Sequence, residues 1–512
     1  MEQRYQNRTR RLPLFATVSL LVCALLNPGN FGTIDTVRRL QVARWIRLGE
    51  PPVAPSDTTF GVIGKDGTKQ AWYGIGQSIA LVPFDALVTA VTTPLRGSGL
   101  DTEKQQQVVM LLIAFAMQSV ITFCSLAAAY AVLLTFDFTE RQSLAGAFAL
   151  LFATMYLQYV QSAQENNLLL LLALAALYSI RRWQKADWRS AAGWHPAPLW
   201  AAAAGAACAF AILVRLPSVL ETAALFGFAV STGKRWKQFF LGFAPPVALG
   251  LIIDRWYQWH RFGSVFGTYM GVFGRQGRPA GAPLSYPFSY PFLKGFFGTL
   301  FSPDKSIFLF DPLLLVLLFV VIWRWPSVSR DLRIAIAWFA ALLAAYIAVY
   351  AKYFDFGGDV AWGHRFVTLP VELLCLFAVP LLLQSEYRLS RAAWAAAWAV
   401  VFGSVALQAA STAIAPNLEV VQREAGYAHG VIVNRAINLA SLALGRQVRG
   451  ADQIPVEWRS LYYFPFQLRF RFPQFAGAAI VAWFALLAVL LGVVVNCGIS
   501  GNREGGLKSA AG

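Results

Sequence analysis

Two acids and a set of scattered cations are the side chains of this 512-residue chain with the types and spacing for catalysis. Asp35 lies in "NFGTIDTVRRLQVARWIRLGE", directly after an apolar run, with Arg38 and Arg39 three and four positions further on. In a helix starting near Thr33–Asp35, these spacings bring both cations to the side of the acid. A carboxylate beside two guanidiniums would pair a general base with a phosphate clamp. The plain structural alternative is that Asp35 caps the helix. Glu165, in "VQSAQENNLLLLLAL", is a second acid on a short connection. Its ordinary role would be to complement a helix dipole, and its chemical role to assist Asp35.

The cations fall at similar places. Lys69, Trp72 and Tyr73, in "GKDGTKQAWYGIGQSIALVPF", precede an apolar stretch, where a snorkelling lysine in an aromatic belt is the simpler account. The glycines there do not form GxGxxG, so nothing indicates a dinucleotide. Arg215, in "FAILVRLPS", sits at the end of an apolar run, a costly place for a charge unless it is paired or hydrated. The stretch "YAKYFDFGGDVAWGHRFVTLP" carries Lys352, Asp355, Asp359, Trp362, His364 and Arg365 just before another run. Gly357 and Gly358 permit close backbone approach. Arg365 offers a fork for two phosphate oxygens, against the alternative of an interfacial anchor.

Membrane helices must position these residues. The chain is 57% hydrophobic and only 13% charged, with mean hydropathy +0.52, too little charge to cover a soluble protein of this length. Apolar runs of roughly 17–25 residues fall near 12–27, 106–135, 142–160, 166–180, 199–216, 217–231, 238–259, 306–324, 334–350, 366–384, 392–413 and 475–497. Pro83 and Asp85 interrupt 75–93, which reads as an interfacial helix. Short Lys/Arg-rich connections alternate with long ones, so both termini are expected inside, behind an uncleaved first span, with 28–105, 260–305, 351–365 and 414–474 outside. The division is a transmembrane core over 1–413 and an outer segment plus last span over 414–512.

The five cysteines, Cys23, Cys124, Cys208, Cys375 and Cys497, are far apart and form neither a disulfide framework nor a metal cluster. None of the four histidines is spaced as HExxH. The net charge of +17 comes without any nucleic-acid motif, and most of it is a topology signal. The arginines of the outer loops are not, and they point to an anionic ligand handled outside. Every residue singled out above falls on that one face.

The order of these motifs resembles the GT-C superfamily of membrane glycosyltransferases, which use polyprenyl-phosphate sugars and include the protein O-mannosyltransferases and the lipid A aminoarabinose transferase. In "IDTVRRLQVARWIRLG", Asp35 stands at the family's acidic position after the first span, with Arg38 three later. Lys69 in "TKQAWYGIGQS" matches the family's lysine, and Glu165 its second acid. "LVRLPS", "YQWHRFGSVFGTYMG", "GTLFSPDKSIFLFDPLLL" and "FGGDVAWGHRFVTLP" look like later landmarks, so the likeness runs from about 12 to 384. The "DT" at Asp35 departs from the family's frequent "DE", which leaves divalent-metal involvement and the choice of base open. Residues 414–474 match no landmark.

The resemblance implies an all-α, polytopic fold of about twelve spans with outer interfacial helices. It implies inverting transfer of a sugar to a glycan, lipid or protein hydroxyl at the extracytoplasmic face of a bacterial inner membrane. Asp35 would be the base and Glu165 its assistant. Arg38, Lys69, Arg215, His364 and Arg365 would hold the donor phosphate, and Trp72, Tyr73 and Trp362 would line the substrate site. No cofactor is assigned beyond the open question of a metal, and the partners are the lipid-linked donor, the acceptor and membrane lipids, not nucleic acid. The alternative is a transporter or flippase for a lipid-linked or anionic glycan. It would string charges through the spans and favour an internal repeat, whereas here no repeat is found and the charges gather at outer ends.

Overall fold

The computed structural model describes residues 2–29, 31–93, 102–186, 197–233, 235–358, 361–385, 389–427, 429–471, 473, 476–489 and 492; Asp359 and Cys497 lie outside them. The chain is 73% helical, an all-α protein. The first half runs α1 (Glu2–Leu26), α2 (Ile34–Leu48), α3 (Gly76–Thr92), α4 (Thr102–Thr135), α5 (Glu140–Phe152), α6 (Tyr156–Ser162), α7 (Asn166–Gln184), α8 (Ala197–Val214), α9 (Ser218–Thr232) and α10 (Trp236–Phe262). The second half runs α11 (Tyr269–Gln276), α12 (Phe292–Phe301), α13 (Ile307–Phe310), α14 (Leu313–Arg324), α15 (Arg330–Tyr350), α16 (Thr368–Cys375), α17 (Ala378–Gln384), α18 (Arg391–Ala413), α19 (Leu418–Glu424), α20 (Val431–Ala443) and α21 (Phe464–Arg471). Strands β1 (Val62–Ile63) and β2 (Lys69–Gln70) form a small antiparallel hairpin between α2 and α3.

Among the described residues, five helices are long and apolar enough to cross a membrane: α4, α8, α10, α15 and α18. The expected span 142–160 is the bent pair α5–α6, with a 52° break, which makes six. Other expected spans are shorter apolar helices, including Arg11–Leu26, Ser218–Thr232 and Ala476–Val489. Two are interrupted. Pro312 has no N–H to continue a helix and disfavours the helical conformation at Asp311, so 306–324 divides into α13 and α14. The run 366–384 divides into α16 and α17 at Leu376–Phe377. A helix does form over the expected stretch 75–93, with Pro83 inside it.

Small residues set how closely these helix backbones approach. A Cβ on Gly205 of α8 would lie 2.3 Å from the Phe243 carbonyl of α10, and one on Gly250 of α10 would lie 2.7 Å from Ala209 of α8. One large core joins α1, α4, α7, α8, α9 and α14 to α18. The four described cysteines, Cys23, Cys124, Cys208 and Cys375, are all free thiols.

The described residues of 414–474, a stretch that matched no motif, fold onto the end of α18. Arg435 of α20 is fully buried, and its Nε and Nη2 each donate to a Glu419 carboxylate oxygen at 2.6 Å. Its Nη1 donates to the Ser411 carbonyl at 2.6 Å, which ties the segment to the last turn of α18.

Candidate active site

The turn between α6 and α7 organises the site. Ala163 takes a left-handed conformation, φ 50°. Its carbonyl accepts from Thr36 Oγ1 of α2 at 2.9 Å and from Gln77 Nε2 of α3 at 3.1 Å. Two residues on, Glu165 precedes α7, and Asn166 Nδ2 donates to the Arg365 carbonyl at 2.9 Å. One turn thus gathers three segments far apart in sequence.

Neither acid is a cap. The Thr33 hydroxyl caps α2 by accepting from the Asp35 amide at 3.3 Å, which leaves the Asp35 carboxylate free. That carboxylate accepts from the Tyr73 hydroxyl at 2.6 Å and from Arg365 Nη1 at 3.2 Å. Glu165 stands at the α7 N-cap position without a side-chain cap bond, and pairs instead with Arg39 at 2.9 Å. Burial works against its ionisation, but Arg39, then Arg215 and Arg365, outweigh burial and hold its carboxyl down at about 2. Burial, then the Asp35 carboxylate, pushes the Tyr73 phenol up, so it is a firm hydrogen donor. The Arg39 guanidinium lies 4.2 Å from the centre of the Tyr73 ring, closing a network of Asp35, Tyr73, Arg39, Glu165 and Arg365.

These groups line a cavity of about 490 Å³. Arg215 joins them from the end of α8, 4.8 Å from the Phe366 ring and 5.4 Å from the Tyr350 ring, with no ion pair among the described residues. Among the described residues three guanidiniums face two carboxylates, one net positive charge. Its other walls are apolar and aromatic, among them Val214, Leu220, Met270, Val349 and Tyr353. Trp72 lines it as well.

Glycines hold two of the segments in place. A Cβ on Gly74 would lie 2.4 Å from the Leu213 carbonyl, and one on Gly76 2.4 Å from the Val214 amide, so "YGIG" seats Tyr73 on the end of α8. Arg261, fully buried, steadies the same loop by donating to the Ala71 and Tyr73 carbonyls. Gly358 has φ 81°, and a Cβ there would lie 2.4 Å from Arg365 Cγ. Gly358→Ala is therefore expected to push the guanidinium aside and cut activity by about 10²-fold. Gly281→Ala is the control: Gly281 also has positive φ, 82°, but nothing lies within 4 Å of its added Cβ. Equal losses from both would assign the effect to backbone strain.

Other expected site residues lie elsewhere. Arg38 turns away to Asp57 at 3.0 Å and to the Phe60 ring at 4.0 Å, because the 51–73 loop folds back over α2. Lys69 Nζ donates to the carbonyls of Asp57, at 2.8 Å, and Thr58, at 3.3 Å, inside that loop. His364 is fully buried, and burial, then Lys305, lowers it to about 3. A neutral imidazole there is no phosphate cation. Trp362 is buried against Phe310 and faces a different cavity. Arg39, not Arg38, lies at the acids: both follow Asp35 on α2, but Arg39 pairs with Glu165 while Arg38 pairs with Asp57 of the loop.

Among the described residues no three His, Cys, Asp or Glu side chains gather as a metal site. Asp35 and Glu165 each face a guanidinium, surroundings that do not suit a divalent cation. No protein-family model, curated protein or solved structure matches the chain.

Proposed function

We propose that the protein is an inverting glycosyltransferase of GT-C type with about twelve spans. In this reading it moves a sugar from a polyprenyl-phosphate carrier to an acceptor hydroxyl at the outer face of a bacterial cytoplasmic membrane. The observation that carries the reading is the amphipathic cavity at Asp35. Three guanidiniums meet one wall of it, and apolar side chains form another, as a phosphate bearing a lipid tail requires. Arg215 supplies the uncompensated charge, and Arg365 offers a fork of which one arm is engaged by Asp35.

In the reaction, the acceptor oxygen attacks the anomeric carbon while its proton passes to Asp35. The bond from that carbon to the phosphate oxygen breaks, and the carrier phosphate leaves with the electron pair, stabilised by Arg365 and Arg215. Tyr73 holds the other carboxylate oxygen and fixes the direction in which the base points. Glu165 keeps Arg39 in place beside the phosphate. No nucleotide takes part.

The test is reconstitution with a panel of polyprenyl-phosphate sugars, following release of carrier phosphate and the anomeric configuration of the product. Acceptor-dependent release with inversion is expected. Movement of intact donor across the bilayer, with the bond to phosphate unbroken, would establish the flippase alternative.

A further inference from the structure

A second cavity, of about 440 Å³, is also lined by Asp35 and Arg365 and so shares both residues with the first. Its chemistry differs. Apart from that pair no charged side chain among the described residues lines it. Instead it presents amides and hydroxyls from three places: Thr33 before α2, Gln158 and Ser162 of α6 with Gln164 beyond it, and Asn417 before α19. Aromatic faces come from Trp362, Trp458 and Tyr462. The Oε1 atoms of Gln158 and Gln164 and the Oγ of Ser162 are buried and make no hydrogen bond within the protein.

We infer that this cavity is the acceptor site and that the acceptor part it takes is a neutral sugar ring, with Pro416, Asn417, Trp458 and Tyr462 supplying part of its lining. The inference rests on the glycosyltransferase reading above. A ring rich in hydroxyls both donates to and accepts from amide side chains, and its apolar face lies on Trp or Tyr. A phosphorylated acceptor would want cations that, beyond Arg365, no described residue brings to the cavity. A lipid tail would want a wall without so many amides. The position of the cavity also fits the chemistry: Asp35 and Arg365 line both cavities, so an acceptor hydroxyl held here lies within reach of the base that also borders the donor site. The acceptor O–H bond breaks as the new bond to the anomeric carbon forms, the proton going to Asp35 and the old bond's electrons to the carrier phosphate.

The experiment uses the full chain in lipid nanodiscs, with a donor found to be consumed and three acceptors in parallel: octyl β-glucoside below its micelle concentration, a Ser/Thr-containing peptide, and phosphatidylglycerol. Glycosylation of the octyl glucoside is expected. Trp458→Ala and Asn417→Ala should each raise the KM for that acceptor roughly tenfold, the scale of one or two lost contacts, without moving the KM for donor. Trp458→Phe, which keeps an aromatic face and guards against misfolding, should recover most of the acceptor KM. Labelling of the peptide or the phospholipid and not the glucoside overturns the inference, as does a glucoside KM that none of the variants changes. Absence of any donor consumption by the wild type is a different failure. It removes the glycosyltransferase reading itself, and the acceptor site with it.

Discussion

Asp35→Asn is expected to leave the protein folded and able to bind donor while reducing sugar transfer by at least about 10²-fold, the usual contribution of a general base. The substitution is clean because Asp35 does not cap its helix. Thr33 does that, so the start of α2 survives. Asparagine keeps an oxygen that can accept from Tyr73, but it cannot take up the acceptor's proton. Glu165→Gln, measured alongside, should cost less. Its carboxylate is paired with Arg39 and stays ionised down to about pH 2, so it holds a cation and does not exchange a proton near neutrality. Near-normal turnover in Asp35→Asn together with loss in Glu165→Gln would reverse the two roles. Full turnover in both would remove acid–base catalysis by this pair.

Arg365→Lys is expected to lose about 10²-fold in transfer, comparable to removing one donor aimed at a developing charge. The charge is kept, so net electrostatics do not explain the loss. What disappears is the planar fork, which in the native protein touches Asp35 with Nη1 and leaves further N–H groups for phosphate oxygens. The backbone around it is fixed independently, by Asn166 and by Thr368 Oγ1, both donating to the Arg365 carbonyl, at 2.9 and 3.1 Å. Thermal stability in detergent should therefore barely change. A lysine variant with full turnover and unchanged donor KM would make Arg365 an interfacial anchor.

What the sequence disclosed of this site, and what it hid, divides along a physical line. Features set by local spacing were legible: an apolar run, an acid at the start of a helix with cations on its side, a glycine pair before an arginine. Which cation serves was not legible. Arg38 and Arg39 both follow the acid on the helix, and the choice is made by their distant partners, Asp57 of the loop for Arg38 and Glu165 before α7 for Arg39. Asp85 likewise reads as a residue that breaks an apolar stretch. In the fold it is fully buried and bonded by Arg44 and Arg47, a pair one turn apart on α2 whose common target only the docking of α3 reveals. The interruption at Pro312 was written in the chain, but a sliding apolar window passes over it. The 414–474 region hides its logic most fully, because the Glu419–Arg435 pair joins two short helices across a turn with no motif to announce it.

The seat of "YGIG" on the end of α8 has a mechanical consequence. Backbone meets backbone there, with no side chain between to change rotamer and absorb displacement. The loop and the helix end therefore move as one rigid lever, with Tyr73 on one arm and Arg215 on the other. Bilayers of different thickness tilt helices to match their apolar length, and any tilt of α8 against α2 rotates that lever. The hydrogen bond from Tyr73 to Asp35 ties that lever to α2, so in the proposed mechanism the aim of the base would follow the tilt of α8 in the membrane.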